Sequence, residues 1–200
     1  MSNIIANWPK DKPLKLNLGC YNKPIPGHIN IDIRPPPETS ADLVENIKDL
    51  PSFKENSIDE ILCVHTIEHF PRTEILPILK RWHSLLKKDG LLRLAVPNML
   101  ECMKHYLYFG DLKQLLTTLG GSQRHQYDFH LSHFDQNTLT KLMLEAEFKN
   151  IQWWDWTKTP YWYCDSYASS YLPEGKRVYK EGRVEVEGGR LFSLNLEGRK

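Results

Sequence analysis

Apolar residues recur at two periods along this chain, and the switching between them outlines an architecture. Leu14, Leu16 and Leu18 alternate with polar neighbours and stop at Gly19, and Ile29, Ile31 and Ile33 repeat that pattern before Pro35-Pro36-Pro37. Period-two spacing ended by glycine or proline reads as short strands. Residues 58–65 (IDEILCVH) are more continuously apolar, as suits a strand buried on both faces, and 91–96 (LLRLAV) form the next strand, closed by Pro97-Asn98. Between them Ile75, Ile78, Leu79, Trp82, Leu85 and Leu86 fall at helical spacing. That spacing predicts a helix over 72–88, stopped by Lys87-Lys88-Asp89-Gly90. A second helical stretch is expected over 99–119, ended by Gly120-Gly121, and a third over 135–147 with Asp135 as its N-cap. Residues 151–156 and 191–196 read as two late strands. Residues 1–13 read as an arm docked by Trp8, and 157–188 as an irregular insertion before the last strand.

Strands that alternate with helices predict an α/β fold: a doubly wound, mostly parallel sheet. Two late strands with little helix between them predict one antiparallel strand at the C-terminal end. With 200 residues, 40% of them hydrophobic, the chain suits one domain spanning 1–200.

A net charge of +1 with no basic stripe argues against a nucleic-acid partner. The opening residues do not read as a signal peptide, and no run of about 18 apolar residues suggests a membrane span. Cys20, Cys63, Cys102 and Cys164 are widely spaced with no C-x-x-C pair, so free thiols in the cytoplasm are expected.

In an open parallel sheet, ligands lie beyond the carboxyl ends of the strands, where strand order reverses. That rule selects Gly19 and its neighbours, Asp32, the loop around Asp49, and residues 65–69. Glycine lets the backbone turn sharply and approach a ligand. A carboxylate at position 32 has only acceptor sites and suits a ribose diol.

The order of these pieces carries a resemblance. LNLGCYNKPIPGHINIDI resembles the first motif of small class I methyltransferases. ADLVENIKDLPSFKENSIDEILCVHTIEHF and LLKKDGLLRLAVPN resemble the stretches that follow. The likeness is close over residues 14–98 and looser over EAEFKN and SLNLEGRK. It implies S-adenosylmethionine as cofactor and S-adenosylhomocysteine as product. It places Asn17, Gly19, Cys20 and Tyr21 against the amino-acid part, Asp32 and Ile33 on the ribose, Asp49 and Leu50 beside the adenine, and His65 near the sulfonium. Two features depart from the usual pattern. Tyr21 stands where a second glycine is usual, and only twelve residues separate Gly19 from Asp32, too few for a crossover helix.

The stretch QRHQYDFHLSHFD (123–135) holds His125, His130, His133, Asp128 and Asp135. It reads as a polar loop over the strand ends, as a substrate loop that supplies a base, or as a metal site, although its spacing matches no standard zinc pattern. An alcohol nucleophile must lose a proton, and histidine suits that task. His65, His69 and His130 are the catalytic candidates, with Asp128 as an orienting or accepting group and Glu68 as a cap or bridge for the helix after Pro71. Trp153, Trp154, Trp156, Tyr161, Trp162 and Tyr163 read as core or interface before substrate wall. The resulting expectation is a methyltransferase acting on an oxygen of a sugar or other small polar acceptor. The sugar comes from resemblance to stand-alone enzymes associated with surface-glycan synthesis. No metal is required, and a homodimer is conceivable. The alternative is a non-catalytic scaffold with Tyr21 filling the pocket.

Overall fold

A computed structural model describes residues 3–110, 112–162, 171–172, 176–180, 183–187 and 190–200. Its centre is a seven-stranded sheet. In chain order the strands are β1 (Lys15–Leu18), β2 (Ile29–Asp32), β3 (Leu43–Val44), β4 (Ile58–Val64), β5 (Leu86–Pro97), β6 (Lys149–Trp153) and, last, β11 (Ser193–Arg199). They lie in the order β3-β2-β1-β4-β5-β11-β6. The first five pair in parallel, with Leu16 opposite Ile29 and Ile61. β11 runs antiparallel between β5 and β6, so the expected antiparallel closing strand is present. The chain moves from β1 to one edge, then returns to the other side through β4. The reversal point therefore lies between β1 and β4.

One face of the sheet is covered by helices. α2 (Arg72–Leu85) buries Ile75, Ile78, Leu79, Trp82 and Leu85, a stripe at i, i+3, i+4 and i+7. α5 (Gln136–Glu145) packs beside it through Leu139 and Met143. Its N-cap is Asp135, whose carboxylate accepts from the Thr138 N–H at 2.8 Å. Ile4, Ile5 and Trp8 pack against this core, and α1 (Asn3–Ala6) starts the docked arm.

On the opposite face, large side chains pack against the strands. Ile25, Trp154, Trp156 and Tyr161 pack with Leu62 and Ala95 there, and Trp154 Nε1 donates to the Leu94 carbonyl at 2.9 Å. Among the described residues no helix joins β1 to β2, β2 to β3 or β3 to β4. Trp154, Trp156 and Tyr161 are thus core. Trp153 is exposed, and Tyr163 lies outside the described residues.

Several boundaries differ from expectation, among them the late strands, which run Lys149–Trp153 and Ser193–Arg199 and not 151–156 and 191–196. α2 stops at Leu85, because Leu86 is fully buried and pairs with Ile58 at the start of β5. The left-handed residue there is Asp89 (φ 62), and Lys87 binds Asp59 at 2.8 Å. The stretch 99–119 is broken. α3 (Met99–Phe109) ends at Gly110 in the left-handed region, and a short 3₁₀ turn precedes α4 (Leu116–Gly120). Within 157–188, read as irregular, the described residues include β7 (Tyr171–Leu172), which pairs with β10 (Arg190–Leu191), and an antiparallel pair, β8 (Lys176–Lys180) with β9 (Arg183–Glu187). Cys20, Cys63 and Cys102 are buried free thiols, and Cys164 lies outside the described residues.

Candidate active site

The carboxyl ends of β1, β2 and β4 open onto a cavity of about 630 Å³, roofed by residues 117–130. Its floor begins where β1 stops. Gly19 adopts φ 68, and a Cβ there would meet the Thr66 Oγ1 at 2.2 Å, so only glycine lets this turn pass under Thr66. Tyr21 also has a positive φ, 42°. This is the physical reason a glycine is usual there. Its N–H donates to Asp32 Oδ2 at 2.9 Å. Its ring lies beside the Arg34 guanidinium, 5.1 Å from centroid to Cζ, and forms part of the cavity wall without filling it.

Asp32 ends β2 and is buried. The Arg34 N–H donates to its Oδ1 at 3.0 Å, so both oxygens are fixed by backbone donors, and each keeps lone-pair capacity toward the cavity. Asn17 and Cys20 line the same wall. The Asn17 amide donates to Lys23 O (3.0 Å) and Asn30 Oδ1 (2.9 Å), which ties down the short crossover. The Cys20 thiol is pushed up to about 12 by burial and then by Asp32 and Asp42, so it is a neutral wall group. Ile33 lines the rim.

Asp49 and Leu50 do not line the cavity. Leu50 is fully buried in the core with φ 45. Asp49 is exposed, and its carbonyl is taken by Arg81 Nε at 2.7 Å. Asn46 and Ile47, three residues earlier, line it. The D-L-P motif makes the turn below, and Trp82 Nε1 pins the Ile47 carbonyl at 2.7 Å. Asn46 and Ile47 carry no motif of their own, and only the folded turn reveals them.

The far wall is a histidine cluster. His65 follows β4 with φ 47, a sparsely populated conformation for a side chain of this size. Its Nε2 meets Ser193 Oγ at 2.9 Å, and its Nδ1 faces Glu68 Oε1 at 3.4 Å, an ion-pair separation without hydrogen-bond geometry. Glu68 sits in a 3₁₀ turn (Ile67–His69), fully buried. It does not cap α2, whose N-cap is Pro71; its carboxylate points into the cluster, and neither oxygen has a hydrogen-bond partner. Burial alone would raise this carboxyl, but His65, His69 and His130 outweigh it and hold it below its usual value.

His69 Nδ1 lies 3.0 Å from the Phe129 carbonyl, and His130 Nδ1 lies 2.8 Å from the Thr118 carbonyl. A carbonyl only accepts, so both Nδ1 atoms carry a proton, which leaves Nε2 as the atom that carries the lone pair in the neutral ring. The two rings meet edge to face with centroids 4.8 Å apart, and His130 Nε2 is 4.0 Å from Glu68 Oε1. Burial lowers the pKa of His130 below its ordinary value, against the opposing charge of Glu68.

The loop 122–133 divides in its roles. Asp128 accepts from Ser122 Oγ, from the Arg124 N–H at 3.3 Å and from Arg124 Nε at 3.2 Å. Burial would raise this carboxyl, yet those donors hold it low, which makes it the clasp of the loop. His125 Nδ1 accepts from the Tyr127 N–H, and His133 Nε2 is held at Leu119 O. Of the three loop histidines only His130 joins Glu68 and His69.

A family model described as a methyltransferase domain matches residues 25–153. No curated protein matches. Solved structures agree on the fold. An S-adenosylmethionine-dependent methyltransferase from Archaeoglobus fulgidus aligns with TM-score 0.55 at 14% identity, over 96% of this chain and 87% of that one. A Thermotoga maritima protein of the same kind, described as a possible histamine N-methyltransferase, gives 0.54 at 15% over 98% and 86%. One from Methanosarcina mazei gives 0.52 at 18% over 100% and 98%. With the family match covering well over half of its length and the strand order placing a nucleoside-sized cavity at the reversal point, the chain belongs to the methyltransferase-domain family, the class whose cofactor is S-adenosylmethionine.

Proposed function

We propose that this methyltransferase methylates an oxygen of a small polar acceptor, a sugar or similar polyol, and that it works in the cytoplasm, where thiols such as Cys20 and Cys63 stay reduced. The observation that carries this reading is one cavity whose wall includes both the acceptor-only carboxylate of Asp32 and the adjacent imidazoles of His69 and His130, each anchored through Nδ1. The residues fit the cofactor. A buried, anchored carboxylate ends β2, a glycine-only turn ends β1, and the apolar Ile47 borders the adjoining wall. Asp32 would accept from the ribose hydroxyls, the turn 19–21 would lie against the amino-acid part, and Asn46 and Ile47 would flank the base.

When bound, S-adenosylmethionine supplies a methyl group already activated on a sulfonium. The work left to the protein is alignment and removal of a proton. Alignment is worth many orders of magnitude in effective concentration, and the loop clasped by Asp128 closes the cavity over the acceptor. Proton removal falls to the histidine end. There the Nε2 of His130, in its neutral form, takes the proton of a hydroxyl directly, with His69 beside it. His65, bound to Ser193 and facing Glu68, orients that end.

The test is to incubate the protein with S-adenosylmethionine and panels of sugars, polyols, amines and phenols, reading S-adenosylhomocysteine formation. Turnover with hydroxyl acceptors, lost in His130→Gln with cofactor affinity kept, is expected. Turnover confined to amines would overturn the oxygen assignment, and His130→Gln at native rates would remove the histidine end from the mechanism.

A further inference from the structure

We propose that Glu68, His69 and His130 form a divalent transition-metal site, with zinc as the fitting ion, whose open coordination position faces the cavity. The inference deepens the reading above only in naming what occupies that position, an acceptor hydroxyl; the site itself stands on its own residues.

Each of the three residues offers one ligand atom, and these atoms lie within 4.8 Å of one another. Two imidazoles and one carboxylate are a donor set that zinc takes in open catalytic sites. Ligands about 2.0–2.2 Å from a tetrahedral ion stand roughly 3.3–3.6 Å apart. The 4.0 Å between His130 Nε2 and Glu68 Oε1 therefore closes by a small side-chain rotation.

Three independent features point to a cation at this position. The Glu68 carboxylate is fully buried with both oxygens unpartnered by any hydrogen bond, a costly arrangement that a bound cation would offset. Both histidines have Nδ1 fixed on a backbone carbonyl, Phe129 O and Thr118 O, the support that metal-ligating histidines use to set tautomer and ring orientation. His65 backs the carboxylate at 3.4 Å and is itself held by Ser193, whose hydroxyl donates to Asn195 Oδ1 at 2.8 Å. The residues come from two chain segments about sixty positions apart, and the Leu131 and Ser132 N–H groups lock those segments together on the Glu68 carbonyl at 2.8 and 3.0 Å.

With the ion bound, the two Nε2 atoms are ligands and take no proton. A hydroxyl on the open position loses its proton to solvent at lower pH than it would in water. Its oxygen then attacks the methyl carbon, the C–O bond forming as the C–S bond breaks. In this arrangement the ion both positions and acidifies the acceptor.

The test uses the full chain, stripped with chelator and titrated with Zn²⁺ by equilibrium dialysis, then with Co²⁺ to read coordination from its visible absorption. One equivalent of Zn²⁺ at micromolar affinity or tighter is expected, with an intense tetrahedral Co²⁺ spectrum. His69→Ala and His130→Ala should each weaken binding by about 100-fold or more while circular dichroism stays native, and His65→Phe should weaken it by about 10- to 100-fold. His125→Ala and His133→Ala should leave it unchanged. Absence of saturable Zn²⁺ binding up to millimolar, or native affinity in both His69→Ala and His130→Ala, would overturn the site. Cofactor binding is measured separately without metal, so a failed metal site and a failed methyltransferase reading give different results.

Discussion

Replacing Tyr21 by glycine separates what the Tyr21 backbone does from what its ring does. In the native chain Tyr21 sits at φ 42, which costs a residue with a Cβ about 1–2 kcal/mol. Glycine removes that strain but gives back about 0.5–1 kcal/mol in unfolded-chain entropy. It also loses the stacking on Arg34, worth about 0.5–1 kcal/mol at a part-exposed site. These contributions nearly cancel, and for a chain of this length 1 kcal/mol moves Tm by only about 2–4 °C. The expected Tm change is therefore within about 4 °C in either direction. The N–H that anchors Asp32 at 2.9 Å survives in glycine, so S-adenosylmethionine affinity should change by less than about fivefold. Thermal unfolding and calorimetric titration of both proteins read the two quantities. Binding that appears only in Tyr21→Gly would show that the ring fills the pocket, and would refute the wall position assigned to it here.

Gly19→Ala places a Cβ 2.2 Å from Thr66 Oγ1 in a left-handed backbone, and a loss of about 2–4 kcal/mol by denaturant unfolding is expected. Adding Thr66→Ala should return part of it, the clash but not the backbone strain; a neutral Gly19→Ala would contradict the turn. His28 is buried, and burial lowers its pKa despite the opposing charge of Glu60. The unfolded chain then takes a proton first as pH falls below about 6.5, so stability present above that pH is lost on acidification. Tm measured from pH 7 to 5 should fall in the native protein and fall less in His28→Leu; parallel curves would contradict this.

Most of the sheet was legible in the sequence: β1 and β2 carry branched residues at period two and end at a glycine and an acid, and β4 and the second half of β5 are nearly continuous apolar runs, whereas the two-residue β3 carries no pattern of its own. The helix boundaries were less so. Leu86 satisfies the helical spacing of α2 and the strand spacing of β5 equally well, and its pairing with Ile58 decides between them. Trp154, Trp156 and Tyr161 had core character in the sequence, but nothing there shows that they cover the sheet face that lacks helices.

In the site, Gly19 and Asp32 are positioned by strand ends, which local pattern reveals. Asn46 and Ile47 are positioned by a turn whose motif lies three residues downstream. The pairing of Glu68 and His69 with His130 depends on a loop crossing sixty residues later. A spacing search within 123–135 finds His125 and His133 as readily, although His125 spends a ring nitrogen on its own loop and His133 spends one on the Leu119 carbonyl of α4.

Calorimetric titration of the native protein and of Asp32→Asn with S-adenosylmethionine and S-adenosylhomocysteine tests the central claim most directly. The account expects micromolar binding of both ligands to the native chain. It expects an affinity about 10- to 150-fold weaker in a folded Asp32→Asn, the loss of charge-assisted hydrogen bonds worth about 1.5–3 kcal/mol. No binding of either ligand to the native chain up to millimolar concentration, or equal affinity in the variant, would contradict it.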